Sequence, residues 1–164
     1  MDEKLRVAFG EPAHGWLQLE CHAGQTAFCE TFSHMYPSLS DVCEALCDVL
    51  TGNRPPRRVV FLLEPAEVEM VLAPHDGRCR VSLLAFRDRR WDLDGQAVLE
   101  FDVATVDVVL AFWRALRRLQ TSFPENEFEA RWGEPFPGGE LHALTRLLHE
   151  HQMTRSRIET DEAR

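Results

Sequence analysis

The stretch YPSLSDVCEALCDVLTGN (residues 36–53) decides the fold class, because it is the clearest helix of the chain and it separates two groups of strand-like segments. Its apolar side chains recur at the spacing of one helix face. Ser38 or Ser40 is expected to cap its start, Asp41 lies in its first turn, and Gly52 ends it. The apolar positions are Leu39, Val42, Cys43, Leu46, Cys47, Val49 and Leu50.

Strand-like segments flank this helix on both sides. The sequence predicts them at 5–10, 16–23, 26–32, 58–63, 67–73, 79–87 and 97–103. Most are joined by short turns, which favours antiparallel pairing because parallel strands need long crossovers. Two further helical patterns follow, one opened by Thr105 and one over residues 140–151.

This order of elements predicts an α+β fold with one domain over residues 1–152. We expect a mostly antiparallel sheet of about six or seven strands, with about three helices packed on one face. Residues 153–164 are polar and lack periodicity, so we expect a disordered C-terminal tail.

Composition limits the classes of function. The net charge of −9 makes nucleic acid a poor partner and suits a basic protein surface, although acidity also serves solubility alone. No apolar run approaches the roughly 20 residues of a membrane-spanning helix. The N-terminus MDEKLRVAFG does not resemble a secretion signal, so we expect a cytoplasmic protein without a membrane partner. The oligomeric state is left open.

The cysteines invite a metal, redox or catalytic interpretation. Cys43 and Cys47 have a metal-like spacing, but they lie on the apolar stripe of the helix. Cys21 alternates with leucines, and His22 points to the opposite strand face. We therefore expect free, core-packed cysteines, and we assign no metal ligand, cofactor or catalytic residue.

Acidic and aromatic residues supply the candidate binding sites. Glu64, Glu67 and Glu69 cluster in one short segment, with Glu67 and Glu69 on the same strand face. Trp91 lies on an expected loop tip, where it is either an exposed anchor or folded back on the sheet. The acidic sets more often form a solvated face than a binding patch. A second set comprises Glu125, Glu127 and Glu129 beside Trp132.

Several short motifs resemble a family of small uncharacterised bacterial proteins, catalogued as a domain of unknown function. They are Gly15-Trp16, SLSD (38–41), EPAE (64–67), Phe128-x₃-Trp132 and Phe136-Pro137. The resemblance spans roughly residues 5–150 and concerns turns, caps and packing aromatics, so it implies a fold and no catalytic residues. Small acidic families of this type include suspected immunity proteins of bacterial toxin systems.

We therefore hypothesise a non-enzymatic, immunity-like module that masks a basic partner. The acidic sets would steer that partner, and Trp91 or Trp132 would anchor it. An acidic export chaperone and a small hydrolase or transferase with a buried carboxylate are the alternatives. The enzyme alternative requires a concave pocket that holds a carboxylate or histidine with a shifted pKa.

Overall fold

The seven strands expected from the sequence are present, and they form two antiparallel sheets. The computed structural model describes residues 4–52 and 55–163, so residues 1–3, 53, 54 and 164 of the predicted domain and tail lie outside the described residues. One sheet has the order β1 (Leu5–Phe9), β2 (Trp16–Ala23) and β3 (Thr26–Ser33). The other has the order β4 (Arg57–Leu62), β5 (Glu67–His75), β6 (Arg78–Phe86) and β7 (Gln96–Ala104).

The single sheet expected from the sequence was wrong. Turn signals specify pairing between consecutive strands, as at the tight β2–β3 hairpin, where Ala23 pairs with Thr26. A helix of 13 residues separates β3 from β4, and no turn pairs those two strands. Pairing across such a connection depends on tertiary packing, which the local pattern does not encode.

In the described part of the chain, four helices complete the fold: α1 (Ser38–Leu50), α2 (Thr105–Ser122), α3 (Glu125–Trp132) and α4 (Gly138–Glu162). Helix α1 packs against β4 and β5, whereas α2 packs mainly against β1. Helix α4 then lies over α1 and α2 and buries Leu141, Leu144 and Leu148. The strands and helices share one continuous hydrophobic core, so the chain is a single α+β domain.

Helix α1 starts differently from the sequence prediction. Pro37 occupies its N-cap, and no side chain caps it. The Ser38 hydroxyl, which was a candidate cap, is 1% exposed and donates instead to the Val60 carbonyl oxygen at 2.6 Å. Ser38 therefore ties the start of α1 to β4. The predicted stop is confirmed, because Gly52 follows the helix with a φ of 81°.

The disorder expected after residue 152 is replaced by helix in the structure, since α4 continues to Glu162. Every side chain from His149 to Ala163 is exposed. An ion pair between Arg155 and Glu159, one turn apart at 3.0 Å, supports this segment locally.

Helix α3 was not predicted from the sequence, because eight residues between Pro124 and Gly133 carry too little periodicity to be recognised.

Candidate functional site

Strand β5 places Glu67 and Glu69 on the same face, as the alternation predicted, but Glu69 does not belong to a solvated surface. It is 4% exposed, and its carboxylate is held by two arginines. Arg58 on the neighbouring β4 donates Nη1–H to Glu69 Oε1, and Arg89 Nη2 lies 3.3 Å from Oε2. The chain thus satisfies this buried charge with its own cations.

Glu67 belongs to the same network. Its Oε2 lies 3.6 Å from Arg89 Nε, and its Oε1 accepts a hydrogen bond from the Tyr36 hydroxyl at 3.2 Å. The charge of Glu67 and this hydrogen bond raise the pKa of Tyr36 above its ordinary value. The predicted acidic face is therefore occupied by intramolecular partners. Glu64 lies apart, exposed in the turn between β4 and β5.

Arg89 connects this network to the segment between β6 and β7, residues 87–95, which we call the Trp91 loop. Its guanidinium carbon lies 3.9 Å from the centroid of the Phe86 ring. Asp92 Oδ2 accepts from the backbone N–H of Arg87 at 2.7 Å, and Asp88 Oδ1 accepts from that of Arg90 at 3.0 Å. Side chains and backbone of the same segment thus fix much of the loop conformation.

The fixed loop presents two large apolar side chains to solvent. Trp91 is 80% exposed and Leu93 is 88% exposed. Trp91 lies on the loop between strands, as predicted, and the alternative in which it folds back on the sheet is wrong. Leu93 was not singled out from the sequence, although a leucine within the polar run DRRWDLDG is itself a signal.

The second acidic set lies on α3, a helix that the sequence did not predict. Glu125 and Glu129 are one turn apart and exposed, whereas Glu127 pairs with Arg131 at 2.9 Å. Trp132, the proposed second anchor, is 3% exposed and stacks edge-on against Phe32 at 5.5 Å. Trp132 is a core residue, so its assignment as a surface anchor was wrong.

A cavity of about 540 Å³ opens between the starts of α1 and α4 and was not anticipated. His34 and Trp132 contribute to its lining. The His34 Nδ1 atom lies 3.3 Å from the Gly15 carbonyl oxygen. A Cβ atom on Gly15, whose φ is 79°, would lie 2.5 Å from the same nitrogen, so only glycine leaves room for this imidazole.

A larger cavity, of about 810 Å³, lies near the β5–β6 turn and the middle of α4. His75 and Arg78 line it and both donate to Asp102, at 2.6 and 2.9 Å. Burial acts to raise the pKa of Asp102, but these hydrogen bonds outweigh it and hold the pKa below its ordinary value. The arrangement is an ion-pair network of half-exposed groups.

The cysteines follow the core-packing prediction with one exception. Burial raises the pKa of Cys21 and Cys43 to about 12 and that of Cys79 to about 11, and we call these the three buried thiols. Cys29 is exposed, so its assignment to the core was wrong. The hairpin register pairs it with Glu20, on the outward face of β2.

Within residues 4–52 and 55–163, no three His, Cys, Asp or Glu side chains are placed to hold a metal ion. No helix in the same ranges has both the length and the apolar character needed to cross a membrane. The comparisons with known proteins found no match among family models, curated proteins or solved structures. The resemblance to an uncharacterised bacterial family therefore stays a prediction.

Proposed function

We propose that the protein is a non-enzymatic, immunity-like binding module that masks a basic protein partner, with the Trp91 loop as its anchor. One observation carries the proposal: Trp91 and Leu93 are 80% and 88% exposed on a loop whose backbone is held by hydrogen bonds. Tryptophan is enriched among the residues that dominate binding energy. A preformed loop also loses little conformational freedom when a partner binds.

The acidity of the chain supplies the steering that this proposal requires. Because Arg58 and Arg89 hold Glu69, and Arg89 and Tyr36 hold Glu67, we assign the steering to other carboxylates. Glu125 and Glu129 on α3 are exposed and belong to a chain whose net charge is −9. Such charges mainly raise the association rate and have a smaller effect on affinity.

The burial of Glu69 also supports the binding module over the enzyme alternative. A general acid or base needs a carboxylate that can reach a substrate and exchange a proton with it. Glu69 is among the buried polar residues, and arginines contact both of its oxygens. We assign it the role of bracing the Trp91 loop through Arg89.

Affinity capture with matched variants tests the proposal. Tagged wild-type protein, Trp91→Ala and Met153→Ala are each used to capture proteins from the cells of origin at low and high salt, with quantitative mass spectrometry. Met153 is an exposed apolar residue of α4, on a different element from the loop, and serves as the control. We expect one stoichiometric basic partner with wild type and with Met153→Ala, depleted by Trp91→Ala and by high salt.

The kinetics of the captured partner separate the two parts of the mechanism. Trp91→Ala should raise the dissociation rate, whereas Glu125→Gln combined with Glu129→Gln should slow association and reduce its salt dependence. A partner that Trp91→Ala captures as efficiently as wild type would refute the loop as the anchor. Equal association rates at low salt for the double variant and wild type would refute steering by α3.

A further inference from the structure

An apolar groove lies beside the Trp91 loop, between β3 and one end of the four-stranded sheet. Its volume is about 380 Å³. Phe86 and Arg87 line the groove, and Arg87 is also the first residue of the loop, so the groove and the loop adjoin. Its apolar lining includes Ala27, Phe28, Leu63, Ala66, Ala85 and Val98.

Apolar side chains are exposed both on the Trp91 loop and in the groove. Trp91 and Leu93 project from the loop, and Val98 is 37% exposed in the groove. Large apolar side chains that adjoin one another on a surface mark an interaction site more often than single exposed residues do. A projecting tryptophan and an apolar depression next to each other meet the requirement of a two-fold interface, in which the same patch serves both copies.

We propose that the protein forms a homodimer in which Trp91 of each copy enters the apolar groove of the other. Two-fold symmetry makes the two insertions equivalent and closes the assembly at two copies. The second copy then covers both the loop and the groove. The proposal goes beyond the masking of a basic partner, because it concerns the purified chain alone. Both uses involve Trp91, so a basic partner that anchors on the loop must displace the second copy.

The charges on this face are arranged for self-association. Arg87 is exposed at the start of the loop and Glu30 lines the groove, whereas the exposed Arg90 is already paired with Asp88 at 2.8 Å. Glu64 is exposed next to the groove residue Leu63. When one loop enters the groove of the second copy, its Arg87 approaches Glu30 and Glu64 of that copy. Opposite charges at the edge of an interface orient the partners without supplying most of the affinity.

Sedimentation equilibrium over a roughly hundredfold range of concentration tests the proposal, since dimerisation follows mass action. Trp91→Ala removes the inserted side chain, and Ala27→Glu places a charge in the groove at an exposed position that does not disturb the core. Met153→Ala is again the control. We expect a wild-type dimer whose dissociation constant rises about 30-fold in Trp91→Ala and does not change in the control.

Mixing the two variants tests the reciprocal geometry. The Trp91→Ala copy keeps an open groove and the Ala27→Glu copy keeps its tryptophan, so a mixed dimer regains one of the two insertions. The mixture should therefore associate more tightly than either variant alone. A wild-type monomer at all concentrations overturns the proposal, as does a dimer that Trp91→Ala leaves intact or a mixture no tighter than the separate variants.

The outcomes separate this inference from the proposed masking function. A monomer that still captures a basic partner through Trp91 refutes the homodimer and leaves the masking function standing. A dimer that captures no partner supports the homodimer and refutes the masking function. Because the dimer interface is mainly apolar, we also expect it to persist at the salt concentration that releases a basic partner.

Discussion

Replacing Glu69 by glutamine tests whether its carboxylate braces the structure. The change keeps the shape of the side chain and removes the charge that faces Arg58 and Arg89. Breaking a fully buried ion pair typically costs about 3–5 kcal/mol. Here the two arginine side chains are 59% and 44% exposed, so water solvates them once the negative charge is gone. We therefore expect the free energy of unfolding to fall by about 2 kcal/mol.

Urea denaturation at neutral pH measures this loss as a shift of the transition midpoint at constant slope. Glu100→Gln is the matched control, because Glu100 is an exposed glutamate in the same sheet and should change stability by less than about 0.5 kcal/mol. For a domain of this size, the Glu69 variant should also melt about 4–8 °C lower. Equal stability of the two variants would refute the bracing role of Glu69.

Three further predictions concern positions away from this network. Ser38→Ala should lower the free energy of unfolding by about 1 kcal/mol, because it removes a buried hydrogen bond to β4, and an unchanged urea midpoint would contradict that bond. Gly15→Ala should destabilise the protein by about 1–3 kcal/mol more than Gly77→Ala in the same urea titration. Both glycines have a positive φ, but only a Cβ atom on Gly15 would collide with the His34 imidazole. In the native protein at pH 8, iodoacetamide should alkylate Cys29 first and leave the three buried thiols unmodified until unfolding, because their raised pKa values keep them protonated. Peptide mass spectrometry measures the order of labelling, and simultaneous labelling of all four thiols would contradict the prediction.

The local pattern of the sequence was enough to predict most of the secondary structure. Alternation of apolar and polar residues located all seven strands, and helical spacing located α1 and α2 and the core-facing part of α4. These signals depend on neighbours within one or two turns of the chain. The division into two sheets depends on whether β3 pairs with β4 across α1, which is a long-range property.

The candidate site was predictable only in part, for a related reason. The loop position of Trp91 follows from the turn residues around it. The burial of Glu69 depends on Arg58 across the strand pair and on Arg89 from a loop 20 residues later, and neither proximity is visible in the sequence. Trp132 was misassigned because a short helix turns it onto Phe32. The sequence therefore indicates which residues have the right chemistry, whereas tertiary contacts decide which of them are free to act.

The exposed end of α4 has a consequence for the dynamics of the protein. The helix is about 37 Å long, and its last 14 residues have no buried side chain. A helical segment of that length without buried side chains is marginally stable in water, so it interconverts with coil. Its amide hydrogens should exchange with solvent through local opening, faster toward Glu162 and insensitive to mutations in the core. The exposed end of α4 and the rest of the domain then have separate stabilities. A protease is expected to remove this end of the helix while leaving the fold intact.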